Sequence, residues 1–301
     1  MYKLKDYFKS PQLILVGFLK HTARIWPLKF YLTIQFRMLV GYWPDLKCPR
    51  TFNEKLNWLK IYNRKPEYTQ MADKYAVKQI VKEKIGEEYV VPCYDVWYNI
   101  NDIDFEKLPY PVVLKTTGDS SSVFICKNLA SLDIEAIRRR LNKALRRNFY
   151  YQGREWVYKN IRPLVIADQF LDDNSGHELL DYKFWCFNGE PRVMYITNKS
   201  RCIFENFYDM EFNPMDINHR FVRHKPEFSK PAKFELMKEL CRKLLKGIDI
   251  PIIRIDFFYV NEKIYFGEFT FYDWAGMRSF INKEQDMKLG EMIELNIDNL
   301  D

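Results

Sequence analysis

Four polar side chains stand out for their spacing. Residues 252–270 read IIRIDFFYVNEKIYFGEFT, and within them Arg254, Asp256, Glu268 and Thr270 fall on alternate positions of two β-rich runs. The runs flank a polar break, Asn261-Glu262-Lys263, which reads as a hairpin. Side chains alternate between the two faces of a strand. In the first run Arg254, Asp256 and Phe258 therefore oppose Ile253, Ile255, Phe257 and Tyr259; in the second, Phe266, Glu268 and Thr270 oppose Tyr265, Gly267, Phe269 and Phe271. Pairing residue 260 with 264 sets Asp256 across from Glu268 and Arg254 across from Thr270, and a slip of one residue would turn Glu268 to the apolar face. Two facing carboxylates repel. The offset comes either from a cation such as Mg²⁺, which takes hard oxygen ligands, or from Arg254 alone, in which case the hairpin is a surface sheet face with an Arg–carboxylate pair. The aromatic flanks point to a half-buried setting, where unpaired charge is costly.

Other elements must bring partners to this hairpin. Residues 111–115 form a short apolar strand ending in Lys115, followed by the small, hydroxyl-rich stretch Thr116, Thr117, Gly118, Asp119, Ser120, Ser121, Ser122 and a second strand at 123–126. Such a loop can wrap phosphates with backbone N–H groups and hydroxyls, or be an ordinary polar hairpin loop; it is no P-loop, since GxxxxGK[ST] is absent. Residues 164–171 read as a buried strand leaving at Asp168, Gln169, Phe170 and Leu171. Residues 181–187 alternate, with Asp181 and Lys183 on one face, and Asn188-Gly189 signals a hairpin to a return strand at 192–197. Helices are expected from Thr51 (a capping box with Glu54), at 72–83 ending at Gly86, at 131–147 and at 231–246. The third carries Arg138, Arg139, Arg140, Lys143, Arg146 and Arg147, either a solvated face or one for an anion.

Composition narrows the classes. A chain of 301 residues, 47% hydrophobic and 17% aromatic, can bury a full core as one large domain or two small ones. Six scattered cysteines with no CxxC argue against a zinc ribbon or a disulfide framework and suit a reducing cytoplasm. Four histidines and no HExxH argue against a His-rich metal site. No apolar run reaches the ~20 residues that span a bilayer. Much of the net charge of +7 sits in residues 1–43, where seven Lys/Arg face one acid, Asp6, among ten aromatics. That segment reads as a helix pair folded on the core, as a contact for an anionic membrane surface or, without any supporting motif, as a nucleic-acid contact; nucleic acid is not expected as a partner.

Taken in order, the segments TFNEKLNWLK, ADKYAVKQIV, VVLKTTGDSSSVFICKN, GREWVYKNI, DYKFWCFNG, NFYDMEFN and RIDFFYV…IYFGEFTFY resemble the TupA-like ATP-grasp family of capsule and teichuronopeptide gene clusters, over roughly residues 48–290. The resemblance implies an α+β, ATP-grasp-like fold of mainly antiparallel sheets with packed helices. An N-terminal basic, aromatic helical region (1–65) would precede an ATP-grasp region (66–301), with a nucleotide-loop part at about 110–168 and a metal-binding part at about 169–301.

By position, the resemblance implies that Lys115 and Lys183 contact ATP, that Thr116 to Ser122 cover its phosphates, and that Asp168, Gln169, Phe170 and Leu171 form the adenine hinge, with Asp181 beside the nucleotide. Asp256, Glu268 and Thr270 would hold Mg²⁺, and Arg254 and Lys183 would stabilise the transferring phosphoryl group. Three positions depart from the pattern: serines largely replace the loop glycines, Thr270 stands where Asn is common, and Asp168-Gln169 stands where a Glu pair is common. The implied activity is a carboxylate–amine ligase working through an acyl phosphate. It would join an amino acid or amine to a uronic acid on a saccharide or lipid-linked saccharide precursor, in the cytoplasm or at the inner face of the membrane. Two other classes stay open. One is a kinase or glycosyltransferase of polysaccharide assembly; the latter typically carries a D-x-D metal motif, and none is expected here, Asp104 reading as without a partner and Asp172-Asp173 as part of a hinge loop. The other is a non-catalytic scaffold.

Overall fold

The computed structural model describes residues 11–120, 122–175, 178–198, 205–220 and 228–296. Ser121, expected in the phosphate loop, lies outside them. The architecture is α+β with two antiparallel sheets, as expected. The first sheet runs β1 (Cys93–Trp97), β4 (Val165–Gln169), β2 (Val112–Thr116), β3 (Val123–Cys126). The second runs β7 (Glu205–Tyr208), β6 (Glu190–Asn198), β5 (Leu180–Phe187), β8 (Ile252–Val260), β9 (Lys263–Thr270).

Helices α1 (Pro11–His21) and α2 (Leu28–Val40) lead into α3 (Phe52–Tyr62). The capping box starts α3 as expected: Glu54 N–H donates to Thr51 Oγ1 at 3.2 Å, and Thr51 N–H to Glu54 Oε2 at 3.0 Å. The helix expected at 72–83 begins only at Ala76, as α5 (Ala76–Ile85), and a short helix that was not expected, α4 (Glu67–Ala72), ends just before it, so no continuous helix runs through residue 73. Asp73 sets the break: its backbone N–H closes α4 on Thr69 O, and its carboxylate accepts the N–H groups of Tyr75 (2.8 Å) and Ala76 (3.0 Å), starting the next turn. Helices α6 (Ile134–Leu145), α7 (Tyr150–Gly153), α8 (Phe234–Leu245) and α9 (Lys283–Glu291) follow in order.

Helix α6 lays Ile137 and Leu141 on the first sheet's core. One face of the second sheet packs on α8, the Phe184 ring 5.9 Å from Phe234. The other face carries the charged residues and is roofed in part by α3, where Phe52 lies 4.8 Å from Trp185.

The hairpin β8–β9 differs from expectation at its turn. Val260 pairs with Lys263, not Ile264, and the turn is the two-residue Asn261-Glu262, both at positive φ (49° and 62°), the conformation that matches strand twist. A bulge between Asp256 and Phe257 takes up the difference, with Gly267 as the extra residue. Asp256 still faces Glu268 and Arg254 still faces Thr270. Phe266, expected on the polar face, instead pairs with Phe257 and joins the core.

Candidate active site

The sheet registers line up a polar row across four strands: Tyr195 (β6) pairs with Lys183 (β5), Lys183 with Asp256 (β8), and Asp256 with Glu268 (β9). Arg254 and Thr270 lie in the next row, and Asp181 in the row on the other side. The Arg254 guanidinium binds Asp256 through two nitrogens (Nε to Oδ1 2.6 Å, Nη2 to Oδ2 2.8 Å) and Glu268 Oε1 at 3.1 Å. Its Nη1 reaches Asp273 and the Tyr195 hydroxyl, the latter at 3.1 Å. Lys183 Nζ bonds Asp256 and lies 3.4 Å from Asp181. Thr270 donates its hydroxyl to Glu268 Oε1 at 3.0 Å.

The repulsion between Asp256 and Glu268 is thus offset by Arg254 and Lys183 together. Burial pushes the Asp256 carboxyl up, but Arg254 and then Lys183 outweigh it and hold it below the usual carboxylate range. Burial and Asp256 push Glu268 up; Arg254, Lys74 and Lys183 bring it below its ordinary value. Two cations stand among four carboxylates (Asp181, Asp256, Glu268, Asp273), which leaves this wall of the site net negative.

The facing wall is cationic. Lys115 on β2 lies 2.7 Å from Asp168 Oδ2, and Lys78 on α5 lies 3.1 Å from Oδ1. Lys78 also donates to Val91 O at 2.6 Å. Lys74, in the break between α4 and α5, bonds the carbonyl of Asp119. These lysines rim a cleft whose apolar lining includes Val77, Val81, Val91, Phe258 and Phe266. The four-residue spacing of Lys74 and Lys78 in ADKYAVKQIV would put both on one helical face and is legible in the sequence; Tyr195 and Asp273 leave no such signal.

The hydroxyl-rich loop closes on its own acid. Asp119 accepts from Thr116 Oγ1 (2.8 Å), Ser122 N (3.1 Å) and Ser122 Oγ (2.6 Å). Thr117 Oγ1 accepts from Leu164 N at 3.0 Å. Gly118 lies against Pro163, and Ser120 at the tip is exposed. At the hinge, Asp168 and Gln169 are paired within the sheet, Gln169 N–H donating to Pro92 O at 2.9 Å, while Phe170 and Leu171 continue beyond it half-buried.

Beyond the row, Asp273 opens a left-handed turn: Trp274, Ala275 and Gly276 have φ of 46°, 55° and 56°. Non-glycine residues rarely adopt this conformation. Two buried α3 residues hold it, Lys60 Nζ on Ala275 O (2.6 Å) and Asn57 Nδ2 on Gly276 O (2.7 Å). The exposed Trp274 ring lies 3.9 Å from the Arg278 guanidinium. Asp102 stands two residues before Asp104, so the D-x-D spacing does occur; there, however, Asp104 caps a turn at Glu106 N (3.1 Å) and pairs with Lys107 (2.8 Å).

Among the described residues no cluster of three His, Cys, Asp or Glu side chains is arranged to hold a metal by itself. A Mg²⁺ arriving on phosphates asks for less, one or two carboxylates. The donor chemistry fits: Glu268, its side chain 36% exposed, opens toward the cleft, with Thr270 beside it, whereas Asp256 has both oxygens on cations.

A family model described as TupA-like ATPgrasp matches residues 54–294. No curated protein matches the chain in sequence. Among solved structures it is similar to L-amino acid ligase from Bacillus licheniformis (13% identity, TM-score 0.45, 74% of this chain and 49% of that one). It is also similar to D-alanine–D-alanine ligase from Bacillus anthracis complexed with ATP (16%, 0.40, 74% and 63%) and to the Helicobacter pylori D-alanine–D-alanine ligase (15%, 0.42, 81% and 69%). The chain thus spans about half of the first of these proteins and under two thirds of the second.

Proposed function

The chain belongs to the TupA-like ATPgrasp family, and from that premise we propose that it is an ATP-dependent ligase joining a carboxylate to an amine. The observation that carries the reading is the pair of opposed walls. Lys74, Lys78 and Lys115 would meet phosphates, while the opposite wall, where Lys183 and Arg254 stand among Asp181, Asp256, Glu268 and Asp273 and the sum is net negative, would meet a cation-bound anion; Lys74 and Glu268 are near enough to act on each other across the gap. The base would enter beside the half-buried Val90 and Phe258, opening a cleft of about 30 Å³, with Asp168, Gln169, Phe170 and Leu171 as its hinge and Asp181 at the edge of the nucleotide. Of the loop Thr116, Thr117, Gly118, Asp119, Ser120, the exposed Ser120 and the backbone would cover the phosphates, held in shape by the internal bonds of Thr116, Thr117 and Asp119. Glu268 and Thr270, with Asp256 behind them, would hold Mg²⁺, which supplies charge neutralisation when bound.

In this reading the substrate carboxylate oxygen attacks the γ-phosphorus, giving an acyl phosphate and ADP. The amine then attacks the acyl carbon and phosphate leaves as the amide forms. Arg254 and Lys183 would meet the charge on the transferring phosphoryl group, held in place beforehand by Asp256, Asp273 and Tyr195. Trp274, exposed beside the left-handed turn, would offer aromatic surface to a ring-bearing acceptor, while Arg278, stacked on that ring, is held by Glu205 at 2.6 Å. A uronic acid on a surface-polysaccharide precursor meets that description.

The test is thermal stability with Mg-ATP, with Mg-UDP-sugar and without ligand, on the native chain and Glu268→Gln. Ligand at 100 times its Kd adds about 2.7 kcal/mol, roughly a few degrees for a chain this size. A Mg-dependent shift with ATP, reduced in Glu268→Gln, is expected. A shift with UDP-sugar alone would move the assignment to glycosyl transfer, and no shift with any nucleotide would leave a scaffold.

A further inference from the structure

Helix α1 is apolar on both sides. Val16 and Leu19 face inward and are buried, Leu19 within the core built by Tyr31, Leu32 and Phe36 of α2. Ile14 and Phe18, four residues and so one turn apart, point outward with Leu15 and are 57%, 60% and 55% exposed. Ile25, in the connection to α2, is 73% exposed, and Phe30 is exposed as well. A helix that is hydrophobic all round is normally buried, so this outer face calls for a cover.

The charge around it says which. From residue 11 to 43 there is no Asp or Glu, while Lys20, Arg24, Lys29 and Arg37 are present. The fold adds a second basic element from far along the chain. The α1–α2 connection is tied to residues 150–154, just past α6: Arg154 Nη2 donates to the carbonyls of Ala23 and Trp26 (2.9 Å to the latter), and the Arg24 guanidinium lies 5.0 Å from the Tyr151 ring centre. Burial and then the nearby Arg147 lower the Lys20 pKa, in keeping with two cations side by side. On α6 and just past it, Arg139, Lys143 and Arg146 are exposed, spaced four and three residues apart along one stripe, with no ion-paired carboxylate among the described residues.

We propose that this surface docks on an anionic lipid bilayer, the outer face of α1 with Ile25 and Phe30 entering the headgroup–acyl boundary and the Arg139–Lys143–Arg146 stripe lying over the headgroups. Exposed apolar groups bordered by unpaired cations are what an interfacial element needs. A second copy of the chain would set two cationic borders against each other. A nucleic acid would neutralise the cations but leave Ile14, Leu15 and Phe18 in water. The inference is independent of the nucleotide reading.

Co-sedimentation with phosphatidylcholine vesicles, with and without phosphatidylglycerol, tests it on the native chain. The protein is expected to pellet with phosphatidylglycerol vesicles, less so at high salt, and weakly with phosphatidylcholine alone. Ile14→Ser/Phe18→Ser and, separately, Lys143→Glu/Arg146→Glu are each expected to lower the partition coefficient on the order of tenfold or more. Both change exposed residues, so the melting temperature and the response to Mg-ATP should stay as in the native chain. No pelleting of the native chain, or equal pelleting of both variants, overturns the proposal. So does size-exclusion chromatography showing a dimer that the apolar variant dissolves while vesicles go unbound.

Discussion

Asp256 and Glu268 stand directly across from each other on β8 and β9, although the two-residue turn joining those strands is one residue too short to put them there. Gly267 makes up the difference as a bulge. Without it Glu268 would turn to the core, since side chains alternate along a strand, and the pair that faces the cleft would be lost.

The bulge is expected to need glycine. A Cβ at Gly267 would lie 3.1 Å from Asp256 O and 3.3 Å from Asp256 Cβ. Gly267→Val should cost about 1–3 kcal/mol through crowding and remove most of the Mg-dependent part of any ATP-induced thermal shift. Melting curves with and without Mg-ATP check both.

The two carboxylates should separate by stability. Asp256 is buried between Arg254 and Lys183, so Asp256→Asn leaves two buried cations short of a partner and should lose about 3–5 kcal/mol. Glu268, partly open to the cleft, should lose about 1 kcal/mol or less as Gln. Urea titration of the ligand-free protein distinguishes them; equal losses would contradict the geometry.

Glu155 should give a stability that falls with pH. Burial pushes its carboxyl from 4.5 up to about 7, with Lys60 opposing and Glu268 and Asp273 adding to the rise. The folded chain therefore binds the proton more tightly than the unfolded chain. The stability this contributes is full below about 4.5 and is lost as pH rises through about 7. Glu155→Gln should flatten that slope and be the more stable protein at pH above 7, by up to about 3 kcal/mol, while matching the native chain at acid pH. Thermal melts across this window check the sign.

Arg154 should hold the N-terminal helices in place. Its guanidinium serves the carbonyls of Ala23 and Trp26 and lies 5.1–5.4 Å from the ring centres of Tyr31, Tyr150 and Tyr151. Arg154→Met leaves those carbonyls unserved, at about 1–3 kcal/mol, and should open the α1–α2 connection to limited proteolysis while the ATP response persists.

By itself the sequence determined the local rules. Alternation fixed which of Arg254, Asp256, Glu268 and Thr270 share a face, the Thr51–Glu54 capping box started α3, and Asn188-Gly189 made a hairpin. Each depends on residues adjacent in the chain or one strand away, so each leaves a local pattern. What only the tertiary structure decided involves distant partners. Lys183 and Tyr195 join the Asp256 row because β5 pairs with β8 and β6 with β5. Asp273 reaches Arg254 because Lys60 and Asn57 hold a left-handed turn that no local propensity favours. Lys74 and Lys78 face the cleft because Asp73 ends one helix and starts the next, where the sequence pattern reads a helix already under way at Ala72. The α1–α2 connection and the segment just past α6, over a hundred residues apart, meet because Arg154 serves the carbonyls of Ala23 and Trp26. A contact across that distance is set by packing energy, which periodicity within a short window does not carry.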